Sequence, residues 1–490
     1  MPERLHPSLD IVLSVSIFIA VSVACGRIYR FPFDDEIYTL RFVGNPHISQ
    51  LPSYFLFTND PTPPLTYLVY YAAVLAGFHQ NALRWICVGY VAIALAIWHW
   101  LTLTMIEASM PVRLLIAILF GLVPLALSQG DALRWYPMLT LAVAAAFFCY
   151  LRFPRRWYLS GIAFGLIGDV SFLAILPLAS VLFHRYAIER KFNWREDLTF
   201  LSLGGLVAIP GFIAFGHIFS HQDLTKHFTS GLLRRIAETT LGFFGGVTLG
   251  VSQAWLVALA IAATVFLAYG AMVAARERQS ARSFCCLVII AAGFAAIFTV
   301  IGFSEPRGYL FLAPMVTAMT SIGIVYAIQT SPRLAAVAYA ALLVTAISVA
   351  GNLRSSNTPF KRNAVIPYAE VIDFARSNQH GKTAVVTMDA CTAYSLSSYP
   401  EFCVSEYEVY RNGWLDSSCP TGDGIDTVIV VKGDPLDENN PNWRDRVAEF
   451  IRGKQAIAQA HFGHDDDADL KSRLSGGHLS PSLLDAVIYR

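Results

Sequence analysis

Three carboxylates stand side by side at Asp34-Asp35-Glu36, braced by Phe31, Phe33 and Tyr38. Crowded acids repel one another, and loss of solvent raises their pKa values, which is the condition a general base or a cation ligand needs. A solvated acidic turn is the plain alternative. A second cluster, Thr58-Asn59-Asp60-Pro61-Thr62-Pro63-Pro64-Leu65, holds Asp60 among three prolines that restrict the backbone on both sides. A structural turn would also account for those prolines.

The third cluster is Ser128-Gln129-Gly130-Asp131-Ala132-Leu133-Arg134-Trp135-Tyr136-Pro137, between two apolar runs. A guanidinium at that depth costs desolvation unless it meets an anion, and its planar fork suits a phosphate. Either Arg134 awaits a ligand or it closes the loop by pairing with Asp131. The fourth is Ser304-Glu305-Pro306-Arg307-Gly308-Tyr309, a short turn that again offers one arginine and one tyrosine. Here an anchor to lipid headgroups competes with a ligand role.

These clusters interrupt a chain that is otherwise strongly apolar. Of 490 residues 55% are hydrophobic and only 14% charged, and the mean hydropathy is +0.50. A soluble protein of this length carries more charge on its surface. Apolar runs long enough to cross a hydrocarbon core of about 30 Å lie near 11–29, 82–104, 112–128, 136–151, 198–216, 254–275, 283–303, 309–328 and 333–351. The first reads as a retained span rather than a cleaved leader, because no small-x-small site follows it. Residues 157–184 amount to roughly 42 Å of helix, too short for two full crossings, and read as a hairpin with its tip near Gly168–Asp169 that locally thins the bilayer. Residues 64–79, with Tyr67, Tyr70 and Tyr71, read as a helix along the interface.

Basic clusters at Arg152/Arg155/Arg156, Arg185/Arg190/Lys191/Arg195 and Arg276/Arg278/Arg282, with Arg113 and Arg333, orient the spans with these loops inside. All four polar clusters then face outward, against the vote of Arg27, Arg30, Arg234 and Arg235. The expectation is an all-α polytopic membrane protein of about eleven spans over residues 1–351. A small α/β domain on the outer (periplasmic) face of the inner membrane follows over 352–490. In that domain TAVVT (383–387), DTVIVV (426–431) and AVIY (486–489) read as buried strands, and 367–377 and 443–452 as helices. Cys391, Cys403 and Cys419 allow one disulfide and leave one thiol, with the pairing open. The net charge of +1 offers no field for nucleic acid.

Taken in order, the acidic pair after span one, Asp60-x-x-Pro63-Pro64-Leu65, Arg134-x-Tyr136, and Pro306-Arg307-x-Tyr309-Leu310 followed by Pro314 resemble the motifs of the GT-C membrane glycosyltransferases. The nearest subgroup is the bacterial relatives of protein O-mannosyltransferases and the lipid A aminoarabinose transferase. Thr62 stands where these families carry His or Lys, and Asp131 where they carry Glu. The resemblance implies transfer of a sugar, with inversion, from a polyprenyl-phosphate donor to an envelope glycan, lipid or protein. It implies Asp35 as general base, positioned by Asp34 and Glu36, with a divalent cation (Mg or Mn), if there is one, on those three acids. Asp60 and Asp131 join the substrate site, Arg134 and Arg307 hold the carrier phosphate, and Tyr136 and Tyr309 flank it. A transporter or flippase for a lipid-linked saccharide is the rival reading, with an inactive assembly partner as a third. A transporter places its ionisable groups near mid-membrane and often carries internal repeats; here they fall at span ends and no repeat is visible. Weaker sites are a solvated or cation-binding acidic stretch (His461, His464, Asp465, Asp466, Asp467, Asp469), His99 between two tryptophans, and Asp169 at the hairpin tip.

Overall fold

The computed structural model describes residues 8–30, 34–43, 64–214, 239–240, 242–244, 249, 253–276, 279–300, 306–354, 367–408, 413–415, 419, 424–432, 441–463 and 484–490. Asp60, Glu305 and the acidic stretch from His464 to Asp469 lie outside these residues, as do the side chains of Asp34 and Asp35. Two compact units emerge. One comprises Met1–Tyr29 with Thr39–Arg354, the other Arg30–Tyr38 with Ser355–Arg490.

The first unit is helical. Among the described residues, seven helices are long and apolar enough to cross a membrane, from Gln80–Met105 to Pro332–Arg354 and with Met110–Gln129 taken as one interrupted helix, and four shorter apolar helices accompany them. The run expected as one helix over 112–128 is broken in two, α5 (Met110–Gly121) and α6 (Pro124–Gln129). Pro124 lacks an N–H and forces Val123 into an extended backbone (φ −59°, ψ 113°), so the ladder cannot continue. We number the helices before these α1 (Ser8–Ala24), α2 (Asp34–Val43), α3 (Pro64–Leu75) and α4 (Gln80–Met105), and the next α7 (Trp135–Arg152).

The segment 157–184 breaks where the glycine and aspartate stand. It forms α8 (Trp157–Gly168), a turn through Asp169 and Ser171, and α9 (Ile175–Phe183). Helix α10 (Trp194–Val207) packs on α8 through glycines. A Cβ on Gly161 would sit 2.7 Å from the Phe200 carbonyl oxygen, and one on Gly165 2.6 Å from that of Gly204. With no hydrophobic drive between helices in lipid, such small-residue seams let backbones approach and gain dispersion contacts. The same device joins α11 (Ala254–Ala274) to α13 (Leu312–Thr330): a Cβ on Gly323 would collide with the Leu267 carbonyl. Between them in sequence lies α12 (Gln279–Val300), and α14 (Pro332–Arg354) closes the unit.

The second unit is a six-stranded mixed sheet of order β3-β2-β1-β4-β6-β5. The strands are β1 (Thr383–Thr387), β2 (Phe402–Glu408), β3 (Gly413–Leu415), β4 (Thr427–Lys432), β5 (Ala456–Phe462) and β6 (Leu484–Tyr489). β1 is central and parallel to both β2 and β4; β3, β5 and β6 run antiparallel to their neighbours. Alternate residues divide between two cores as the pleat requires. Val385, Ile429, Val431, Ala486 and Ile488 pack with helices α15 (Tyr368–Ser377) and α16 (Ala390–Leu396), while Ala384, Val386, Val428 and Val430 pack with α17 (Pro441–Phe450). Cys403 on β2 bonds Cys419, with Cα atoms 5.5 Å apart, and Cys391 stays a buried thiol.

Candidate functional site

Within the helical unit, Asp131 is the hub. It lies on the turn between α6 and α7 and is 2% exposed. Arg27, on the 3-10 turn that ends α1, donates from Nη2 to Asp131 Oδ1 at 3.2 Å and to the Ser128 carbonyl at 3.0 Å. Arg84, in the first turns of α4, donates from Nη1 to Asp131 Oδ2 at 3.3 Å and to its carbonyl at 3.4 Å. Both guanidinium groups are sealed from solvent. Asp131 therefore meets two arginines that sequence reasoning did not assign to it. The available signal was there: Arg84 opens a long apolar run and needs an anion at that depth. Arg27, counted above against the proposed sidedness, is here an internal counter-ion.

Arg134 is the residue that starts α7. Its backbone is extended (φ −134°, ψ −178°), its carbonyl accepts a hydrogen bond from Tyr70 Oη at 3.0 Å, and its side chain is largely buried. Tyr70, on α3, also lies 3.1 Å from Cys87 Sγ on α4. The apolar helix 64–75 thus ties α7 to α4. Two positions further on, the buried Tyr136 ring lies under the Arg307 guanidinium, 5.7 Å from ring centre to the cation's carbon. A cation over the negative face of a phenol ring is held by its quadrupole. Arg307 comes from the 3-10 turn Pro306–Tyr309, and Gly308 lets that turn lie close: a Cβ there would be 3.0 Å from Leu173 and 3.4 Å from Trp135. So the third and fourth sequence clusters are brought into contact. Tyr309 turns elsewhere. Its hydroxyl donates to the Ala295 carbonyl at 3.0 Å and lies 3.0 Å from Thr299 Oγ1, both on α12.

Asp169 does not project alone at the hairpin tip. Its carbonyl accepts from Leu65 N–H at 3.2 Å and its Oδ1 from Gly211 N–H at 2.8 Å, so it ties α3 and the residues that follow α10 to the break. His99 is packed as expected, stacked on Phe120 with Nδ1 3.0 Å from Ser14 Oγ.

In the second unit, Asp34 and Asp35 occupy the first turn of α2, where the helix dipole favours acids. Glu36 is fully buried, and both its oxygens accept from Arg30, Nη1 to Oε2 and Nη2 to Oε1, each at 2.8 Å. This bidentate geometry is the strongest form of the pair. A cation on Glu36 would have to compete with Arg30. Among the described residues no group of three or more His, Cys, Asp or Glu is placed to hold a metal.

No protein-family model and no curated protein sequence matches the chain. Solved structures do. ArnT from Cupriavidus metallidurans in the apo state superposes over 98% of this chain and 97% of that one, with a TM-score of 0.58 at 10% identity. The same protein bound to undecaprenyl phosphate gives 0.55 over the same shares, also at 10% identity. The fold is that of ArnT. The likeness to ArnT runs over nearly the whole chain, from the first helices to the C-terminal sheet. The arabinofuranosyltransferase AftD from mycobacteria also aligns, over 39% of its own length at 13% identity and a TM-score of 0.45. A mostly helical, multi-pass membrane protein with a small C-terminal sheet fits the ArnT-like fold.

Proposed function

We propose that this chain is a membrane glycosyltransferase that moves a sugar, with inversion, from a polyprenyl-phosphate donor to a glycan, lipid or protein of the cell envelope. The observation that carries the reading is the ArnT fold over 98% of the chain, joined to the Arg307–Tyr136 contact, which sets a guanidinium beside the arginine-bearing start of α7. ArnT itself binds undecaprenyl phosphate, which favours a donor of that class here.

In this reading Asp35 takes the proton of the acceptor hydroxyl as its oxygen attacks the anomeric carbon from the side opposite the phosphate. The bond from that carbon to the phosphate oxygen breaks, and its electron pair stays on the carrier. The carrier phosphate gains one negative charge, which Arg134 and Arg307 would stabilise. Asp34 and Glu36 position the base, Asp60 and Asp131 shape the substrate site, and Tyr136 and Tyr309 flank it. The site works on the periplasmic face of the inner membrane, with about eleven spans over 1–351 and an extracytoplasmic α/β domain over 352–490. The Cys403–Cys419 bond supports that sidedness, because disulfides persist in oxidising compartments.

The test is transfer from a polyprenyl-phosphate-linked sugar in membranes. Asp35→Asn should lower the rate by about 10²–10⁴-fold while the protein remains folded. Transfer at the native rate in that variant overturns the assignment of the base. Cells lacking the protein should accumulate its lipid-linked donor, and an unchanged lipid-linked sugar pool would overturn the reaction class.

A further inference from the structure

We infer that the C-terminal α/β domain is the seat of the acidic segment, with Ile37 and Arg30 as its positioning residues. The inference rests on the transferase reading for its catalytic consequence, though not for its structural content.

Two observations within the second unit carry it. Residues Arg30–Tyr38, distant in sequence from the α/β domain, cluster with Ser355–Arg490 and not with the helices they adjoin in the chain. The reason is visible in the core. Ile37 is fully buried and belongs to the same apolar cluster as Tyr368, Val371, Ala390, Cys391 and Leu396, the inward faces of α15 and α16. An isoleucine with no exposed surface is a strong tether, because release would return its whole apolar area to water.

Arg30 and Glu36 supply the second constraint. Their two parallel hydrogen bonds, buried on both sides, close the chain from residue 30 to residue 36 like a clasp. Asp34 and Asp35 lie inside that clasp, one turn before the Ile37 tether. Anchoring at Ile37 and Glu36 fixes the backbone on which they stand, and a base misplaced by about 1 Å can cost 10²-fold in rate. The α/β domain thereby acts as part of the catalytic machinery, through a residue that touches no substrate.

The experiment uses the full chain in lipid nanodiscs and reads two quantities. Hydrogen exchange of peptides covering 30–38 should speed by about tenfold or more in Ile37→Ala, while β1 amides stay protected as a check that the domain is folded. Ile37→Val should restore native protection. Unchanged exchange across 30–38 in Ile37→Ala overturns the tether whatever the enzyme does. In the transfer assay, Ile37→Ala and Arg30→Lys should each lower kcat by about tenfold or more, leaving the donor KM unchanged, with Ile37→Val near native. Faster exchange with an unaltered kcat overturns the positioning role and leaves the transferase reading standing. If Asp35→Asn transfers normally, the transferase base is wrong, and the exchange result is then read alone.

Discussion

Arg27 and Asp131 meet at 3.2 Å across 104 positions of chain, both sealed from solvent. With Arg84 on the other carboxylate oxygen, the contact fastens the end of α1, the start of α4 and the turn before α7 to one group. A carboxylate shared by two arginines holds both cations in a place where neither would remain alone. Asp131→Ala should therefore destabilise the helical unit by roughly 3–5 kcal/mol, seen as an earlier thermal transition in detergent. Asp131→Asn, which retains the shape and loses the charge, should lie between that variant and the native protein. An Asp131→Ala protein as stable as the native one would show that other groups carry those charges.

The Arg307–Tyr136 contact makes a separate prediction. Tyr136→Phe keeps the ring face and should leave donor affinity within about twofold. Tyr136→Leu removes the quadrupole and should weaken it by about threefold to tenfold. Arg307→Ala, which on the proposed function takes a cation from the carrier phosphate, should weaken it by about tenfold or more. Titration with a polyprenyl phosphate in nanodiscs measures all three. Equal affinities for Phe and Leu at 136 would mean that the ring does not set the guanidinium.

Cutting the Cys403–Cys419 bond should cost the α/β domain about 3 kcal/mol, the value for a loop of this length, whose half-cystines are 16 positions apart. Cys403→Ser/Cys419→Ser and reductant on the native protein should give the same loss in chemical denaturation. Cys391→Ser should respond to reductant as the native protein does.

Asp389 gives the α/β domain a pH dependence of defined sign. Burial raises its pKa above the ordinary carboxylate value, partly offset by hydrogen bonds from Thr392 and Tyr368. A raised folded-state pKa means that ionisation opposes folding. The domain should lose stability as pH rises from about 4 through that raised value, with the full loss present above it. Asp389→Asn keeps an acceptor for the Thr392 N–H and so the cap on α16. Its unfolding midpoint, followed between pH 4 and 8 by circular dichroism of the whole chain, should fall less than that of the native protein. Parallel curves would refute the assignment.

Much of the architecture was readable from apolar run length and β-branched composition. TAVVT and DTVIVV became β1 and β4 because they are buried on both faces, and AVIY fell within β6, whose alternate residues are buried. β2 and β5 escaped because Phe402–Glu408 and Ala456–Phe462 mix charged or small residues with few branched ones, and β5 lies at the sheet edge, half exposed. The break at Gly168–Asp169 was legible, since glycine and an ionisable group inside an apolar run disfavour a continuous helix. Partners were less legible than elements. Sequence alone offers Asp131 its neighbour Arg134, whereas Arg27 and Arg84 come from distant positions that periodicity cannot connect. The same holds for Ile37, whose cluster lies more than three hundred positions away in the chain.

The glycine seam between α8 and α10 bears on how the chain is made. At 12 residues α8 is roughly 18 Å long, a poor tenant of lipid by itself, and its bare Gly161–Gly165 edge is of use only when α10 is there to meet it. Made first, α8 has no partner for that edge until α10 follows. A released chain that ends before Trp194 should expose that edge to quality control, and one that runs on past Val207 should not.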